Sequence, residues 1–202
     1  MNKMFLEINK DTFITSDLHL NHNKPFIYEA RGFKNIEEHD KGIVDRWNDR
    51  VSDDSDIIIL GDIVMGNVSD KEVHDYLKSL LLALKGNISF VMGNHDFSEN
   101  KLKLYEEVGF TNLGASVWAR YNKTRIALTH YPLYVDHSGE THNPDLNFFG
   151  HTHQSVTPFL FPRGQFLVPY AINAGVDFWE RPVKTGFLIK ALENLNDKQI
   201  GE

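Results

Sequence analysis

The chain has no cysteine among its 202 residues. That excludes a disulfide framework and any thiolate metal site, and it suits a reducing, cytoplasmic setting. Long hydrophobic runs are missing too. The longest, residues 80–84, is far shorter than the roughly 20 residues a membrane helix needs, so no membrane span is expected. The opening stretch Met1-Asn2-Lys3-Met4-Phe5-Leu6-Glu7-Ile8 carries Glu7 where a secretory leader needs an unbroken apolar core. Excess positive charge is lacking: 21 Lys and Arg stand against 28 Asp and Glu, a formal net charge of −7. Broad, nonspecific nucleic-acid binding needs a basic surface and is therefore disfavoured. No internal repeat or low-complexity linker divides the chain. We read one domain over residues 1–202, and a hydrophobic content of 41% supports a sizeable core.

Elements can be placed from periodicity and caps. Residues 12–16 read as a short strand. Ile36, Ile43, Val44, Trp47 and Val51 recur at helical spacing, and Asn35 with Glu38 resembles a capping box. Residues 56–60 form a buried-strand run. Ser69 or Asp70 opens a second helix reaching about Leu84, residues 88–92 form the next strand, and residues 100–108 a third helix. Residues 117–121 and 125–129 flank Asn122-Lys123 as a hairpin, and residues 146–149 are a short apolar strand. Further strands are expected near 166–168, 171–173 and 185–190. β–α units therefore lead and β structure follows.

Five motifs close these strands: Asp17-Leu18-His19, Gly61-Asp62, Gly93-Asn94-His95-Asp96, Thr129-His130-Tyr131-Pro132 and Gly150-His151-Thr152-His153. In the first half they follow strand carboxyl ends, where open α/β sheets place ligand sites. Asp-x-His and His-x-His put two side chains on one side of an extended backbone. A central Asp62 can bridge two ions, Asn94 offers a neutral carbonyl oxygen, and His130 a ring nitrogen. Such Asp, Asn and His mixtures suit Mn²⁺, Zn²⁺, Fe or Ni. A pair of ions suits phosphoester hydrolysis, because it polarises phosphoryl oxygens and activates water. The ions would add about four positive charges locally, so an acidic protein can still attract phosphate there. His95 is left over as a general acid for a leaving alkoxide. Asp96 can fix its tautomer from behind.

The five motifs, in this order, resemble the calcineurin-like metallophosphoesterase superfamily over residues 12–190. The resemblance implies a four-layer α/β/β/α sandwich of two mixed β-sheets flanked by helices. It implies two divalent metal ions, with manganese favoured, and a metal-bridging water or hydroxide as nucleophile. Asp17, His19, Asp62 and His153 would hold one ion. Asp62, Asn94, His130 and His151 would hold the other, and His95 would be the catalytic histidine. The chain also resembles small single-domain bacterial and phage phosphoesterases, through His22-Asn23, Arg31-Gly32-Phe33, Trp47-Asn48 and Asn173-Ala174-Gly175-Val176-Asp177. The implied activity is hydrolysis of small phosphodiesters such as cyclic nucleotides. A nuclease or phosphomonoesterase would use the same site, and a nuclease would need a basic groove. A scaffold that has lost its ligands is the other class, but every ligand position here is filled.

The remaining candidates stay open between two readings. Arg31, Arg163 and Arg181 meet a substrate phosphate or form surface ion pairs. His22 lines the pocket or caps backbone. His137 and His142 sit in a polar loop that touches substrate or solvent. Phe178 and Trp179 stack on a base or pack. His39 and His74, on helices, are expected to be solvated.

Overall fold

The run Ile57-Ile58-Ile59-Leu60 shows how the layers arise. Successive strand side chains point to opposite faces. Ile57 and Ile59 enter one hydrophobic core with Trp47, Leu77, Leu81, Leu104 and Tyr105. Ile58 and Leu60 enter another with Ile126, Leu128, Phe148 and Ile172. A strand buried on both faces must sit between two layers, and here those layers are helices on one side and a second sheet on the other.

The computed structural model describes residues 5–133, 144–155, 158–160 and 170–200. Strands β1 (Leu6–Glu7) and β2 (Phe13–Thr15) lead into helices α1 (Pro25–Tyr28) and α2 (Ile36–Asn48). Next come β3 (Asp56–Ile59), α3 (Lys71–Leu82), β4 (Asn87–Phe90), α4 (Glu99–Glu107) and β5 (Thr111–Asn112). The hairpin β6 (Ser116–Tyr121) and β7 (Thr124–Thr129) precedes β8 (Leu146–Phe149), β9 (Phe159–Leu160) and β10 (Tyr170–Asn173). Helix α5 (Val176–Trp179), β11 (Val183–Lys184) and helix α6 (Thr185–Ile200) follow.

One sheet has the order β11-β2-β3-β4-β5, with β2 to β5 mutually parallel and β11 antiparallel to β2. The other has the order β1-β6-β7-β8-β10-β9 and mixes parallel with antiparallel pairs. Two mixed sheets flanked by helices match the architecture that the resemblance implies. Local signals behave as expected. Asn35 Oδ1 caps α2 by accepting from Glu38 N at 2.8 Å, and Asp70 caps α3 by accepting from Glu72 N. Asn122 turns the hairpin with φ 55°.

One element differs from expectation. Residues 185–190 are not a strand; they open α6. The strand stops at Lys184, and Leu188 and Leu192, one helical turn apart, bury in the inter-sheet core. The strand expected at 166–168 lies outside the described residues. Among those described, no helix is long and apolar enough to cross a membrane.

Candidate metal centre

All five motifs fall just past strand carboxyl ends and meet on one rim. Asp17 and His19 follow β2, Asp62 follows β3, and Asn94 follows β4. His130 follows β7, and His151 and His153 follow β8. The ligand atoms of Asp17, His19 and His153 lie within 4.8 Å of one another, and so do those of Asp62, His130 and His151. The convergence does not use extended backbone. Asp17, His19, Asp62, His151 and His153 all have positive φ, between 46° and 66°. Non-glycine residues in this region cost of order 1–3 kcal/mol each and persist only where surroundings over-determine them. Here the His151 N–H donates to both Asp17 carboxylate oxygens at 3.0 Å, locking one strained loop to another.

Asp62 sits between the two groups. Its Oδ1 accepts from His95 N at 3.0 Å. Its Oδ2 lies 3.4 Å from His130 Nε2 and 3.7 Å from His19 Nε2. Asn94 Oδ1 lies 3.0 Å from His130 Nε2. Close approach depends on glycine. Gly61 has φ +91°, and a Cβ there would lie 2.5 Å from Gly93 N. A Cβ on Gly93 would overlap Asp62 Oδ1.

The donor set fits divalent cations. Both ring nitrogens of His19 are buried without a hydrogen-bond partner among the described residues, an expensive state that a bound ion would relieve at one of them. Second partners orient the other rings. His130 Nδ1 donates to Leu60 O at 2.8 Å, and His153 Nδ1 donates to Asp177 Oδ2 at 2.7 Å. Each bond leaves Nε2 facing inward, as metal-ligating histidines require. His151 presents Nδ1 3.2 Å from His130 Nε2, close enough for the two nitrogens to share a proton or to face one ion together.

Charge states follow from burial and neighbours. Burial pushes Asp17 up to about 6, against the pull of His130 and His153. For Asp62 burial also raises the pKa, but hydrogen bonding and charge from His130 win and hold it at about 2. His19 is pushed well down by burial and by Arg31. His22 falls to about 4, chiefly through burial and then His95. His22 lies near the cluster, its ring 5.2 Å from that of His19 and 6.4 Å from that of His95. The His95 ring is partly exposed, with Nε2 3.9 Å from Asp62 Oδ2.

Asp96 is not behind the His95 ring. Its carboxylate accepts from the backbone N–H groups of Asp62 at 2.6 Å, Gly93 at 2.8 Å and Ile63 at 3.2 Å, and from Tyr105 Oη at 2.7 Å. It shapes the Asp62 loop instead. Lys101 supports His95 from below, with Nζ donating to His95 O and Val64 O at 2.7 Å.

Arg31 is also reassigned. Its guanidinium is buried, and its five N–H donors are all taken: by both oxygens of Asp177, by Leu18 O, by Asp17 O and by His39 Nε2. No donor remains for a substrate phosphate. His39 is fully buried rather than solvated, since Arg31 and Asp40 occupy its two ring nitrogens. The structure thus adds Asp177, His39 and Asp40 to the surroundings of the site. Asp177 was visible in the late Asn-x-Gly-x-Asp segment, and the His39-Asp40 pair at a helix start was the other signal.

Arg181 is not brought to the rim; it lines a recess with Phe13, Arg50 and Trp179. Trp179 packs there and donates to Asn173 O at 2.7 Å. His74 is half-buried beside Asp75 and Glu107. Arg163, His137 and His142 lie outside the described residues.

Two clustered ligand groups on the rim of a two-sheet sandwich define a metal-dependent hydrolase. Residues 12–178 match the family model of the calcineurin-like phosphoesterase superfamily domain, and the chain belongs to that superfamily. It is similar to the uncharacterized protein MJ1445 of Methanocaldococcus jannaschii, 28% identical over 90% of each chain. It is also similar to the Gene 66 protein of Mycobacterium phage L5, 25% identical over 94% of this chain and 97% of the phage protein. The fold resembles a solved Aquifex aeolicus protein of unknown function, with TM-score 0.61, 21% identity, and 91% of this chain and 98% of that chain covered.

Proposed function

We propose that the protein is a phosphodiesterase that works with two divalent ions and acts on small phosphodiesters, cyclic nucleotides among them. One observation carries this reading: two ligand triads stand side by side, with Asp62 Oδ2 within 3.7 Å of histidine nitrogens from both. Asp17, His19, His153 and Asp62 would hold one ion, and Asp62, Asn94, His130 and His151 the other. When bound, the pair supplies positive charge to the phosphoryl oxygens and activates a water for attack. The protein supplies position and protons. Asp62 is held by the His95 amide, so its free oxygen faces both groups. His95, exposed at the rim and tethered through its carbonyl to Lys101, donates a proton to the leaving alkoxide. His22, kept neutral by burial, lines the pocket. Manganese is the first ion to try, and a chain without cysteine suits the cytoplasm.

The test is hydrolysis of bis-p-nitrophenyl phosphate with added Mn²⁺. Asp62→Asn should weaken both ions and abolish turnover. His95→Ala should retain metal yet lose about 10²- to 10⁴-fold in kcat, most with poor leaving groups. Equal activity in all three proteins would refute the assignment.

A further inference from the structure

Large aromatic side chains left in water forfeit a burial worth about 1.5–3 kcal/mol each. Two of them stand near the clustered ligand residues, one towards each group. Phe26 is 69% exposed and Tyr131 is 47% exposed. The Phe26 ring stands edge-on to His22 at 5.8 Å, and His22 in turn neighbours His19. Tyr131 lies 4.5 Å from the ring of His151 and 5.1 Å from that of His130. One ring thus flanks the Asp17–His19–His153 group and the other flanks the Asp62–His130–His151 group.

Both are held in place. Pro25 starts the short helix carrying Phe26, and Arg31 anchors the segment that follows it. Tyr131 O accepts from Thr129 Oγ1 at 2.6 Å. Such rings present large contact area with little side-chain entropy to lose.

We propose, resting on the phosphodiesterase reading above, that Phe26 and Tyr131 are stacking platforms for two planar groups, one on each side of the scissile phosphate. A phosphodiester bound between the ligand groups carries two ester arms that diverge from its tetrahedral phosphorus, and each can reach towards one of these rings. A linear diester with a base on each arm, of the dinucleotide kind, uses both platforms. A cyclic mononucleotide, with one base, uses one. The net charge of −7 argues for a short substrate, because a long polynucleotide needs a basic track beyond the site.

The experiment compares dithymidine monophosphate (TpT) with the methyl ester of thymidine monophosphate, which lacks one base. Both are assayed in the Mn²⁺-loaded protein. Stacking is sequence-tolerant and its loss is costly, so Phe26→Ala and Tyr131→Ala should each raise KM for TpT about tenfold, with the change in KM rather than kcat. With the one-base ester, only one of the two substitutions should act. Phe26→Tyr and Tyr131→Phe, which keep the rings, should restore KM. The proposal is overturned if neither alanine variant changes KM for TpT, if both act equally on the two substrates, or if the loss lies in kcat. Bis-p-nitrophenyl phosphate run in parallel separates the two failures. Hydrolysis of that ester without TpT cleavage sinks the dinucleotide inference alone, and no hydrolysis of any diester sinks the phosphodiesterase reading with it.

Discussion

At Asp17, His130 and His153, protons compete with a metal ion. Burial lifts Asp17 to about 6, so below that pH its carboxyl is neutral in the ion-free protein. His153 is shifted up by its Asp177 hydrogen bond, and His130 is shifted up by Asp62 despite burial. Each must lose a proton to become a ligand. The sign follows: ion affinity falls as pH drops through about 6, and proton release on binding grows as the pH is lowered. Calorimetry in two buffers of different ionisation enthalpy measures this, and a pH-independent affinity would contradict it. Asp177 is the second residue on which the site turns. Burial raises its pKa, but the His153 bond and the Arg31 charge hold it well below the usual carboxylate range. Asp177→Asn leaves the buried guanidinium uncompensated and loosens His153. We expect a loss of about 3–5 kcal/mol of stability in urea. Metal affinity, read by chelator competition, should fall about 10- to 100-fold. Such partners were hard to assign from sequence. Arg31 reads as a phosphate binder until its five donors are seen to be occupied, two of them by Asp177 far along the chain.

Strand ends and caps are where individual elements serve the site. The β–α units were legible because Asn35, Asp70 and the alternating isoleucines act locally. Residues 185–190 misread because a six-residue window with three apolar residues, Phe187 to Ile189, fits either period, and only the longer spacing to Leu192 marks a helix. The rim loops were legible as ligands but not as backbone: the i, i+2 pairs converge through left-handed turns, not extended strands. Those turns require neighbours to approach closely. Gly93→Ala would drive a methyl group into Asp62 Oδ1, with Asp62 N only 2.6 Å away, and backbone there cannot yield. We expect this variant to fold, because the clash is confined to the rim, but to lose ion binding and turnover together. Full metal occupancy by elemental analysis would refute that view.

Across the whole molecule, the proposed ion ligands divide between the sheets. Asp17, His19, Asp62 and Asn94 come from loops of the five-stranded sheet, and His130, His151 and His153 from loops of the six-stranded sheet. Ions bound there would link residues of both layers and so would stabilise the folded state by mass action. At a free ion concentration about 100 times Kd the gain is about 2.7 kcal/mol. That corresponds to a Tm rise of roughly 5–10 °C for a chain of this size. Scanning calorimetry with Mn²⁺ and then excess chelator should show the rise and its reversal. Asp62→Asn should abolish it; an unchanged shift in that variant would place the stabilising ions elsewhere.

The sequence by itself determined the superfamily and the order of the β–α units, and it supplied the candidate ligands that cluster on the rim. Those depend on residue types at short spacings, and short spacings are local. Tertiary structure alone decided the roles of Arg31, Asp96, His39 and Asp177. Their partners lie as far apart in the chain as Arg31 and Asp177, which meet at 3.0 Å. It also decided that Phe26, through His22, and Tyr131 stand beside the two ligand groups. Side-chain function there is set by what the packed sheets bring within hydrogen-bonding reach, and no local spacing encodes that distance.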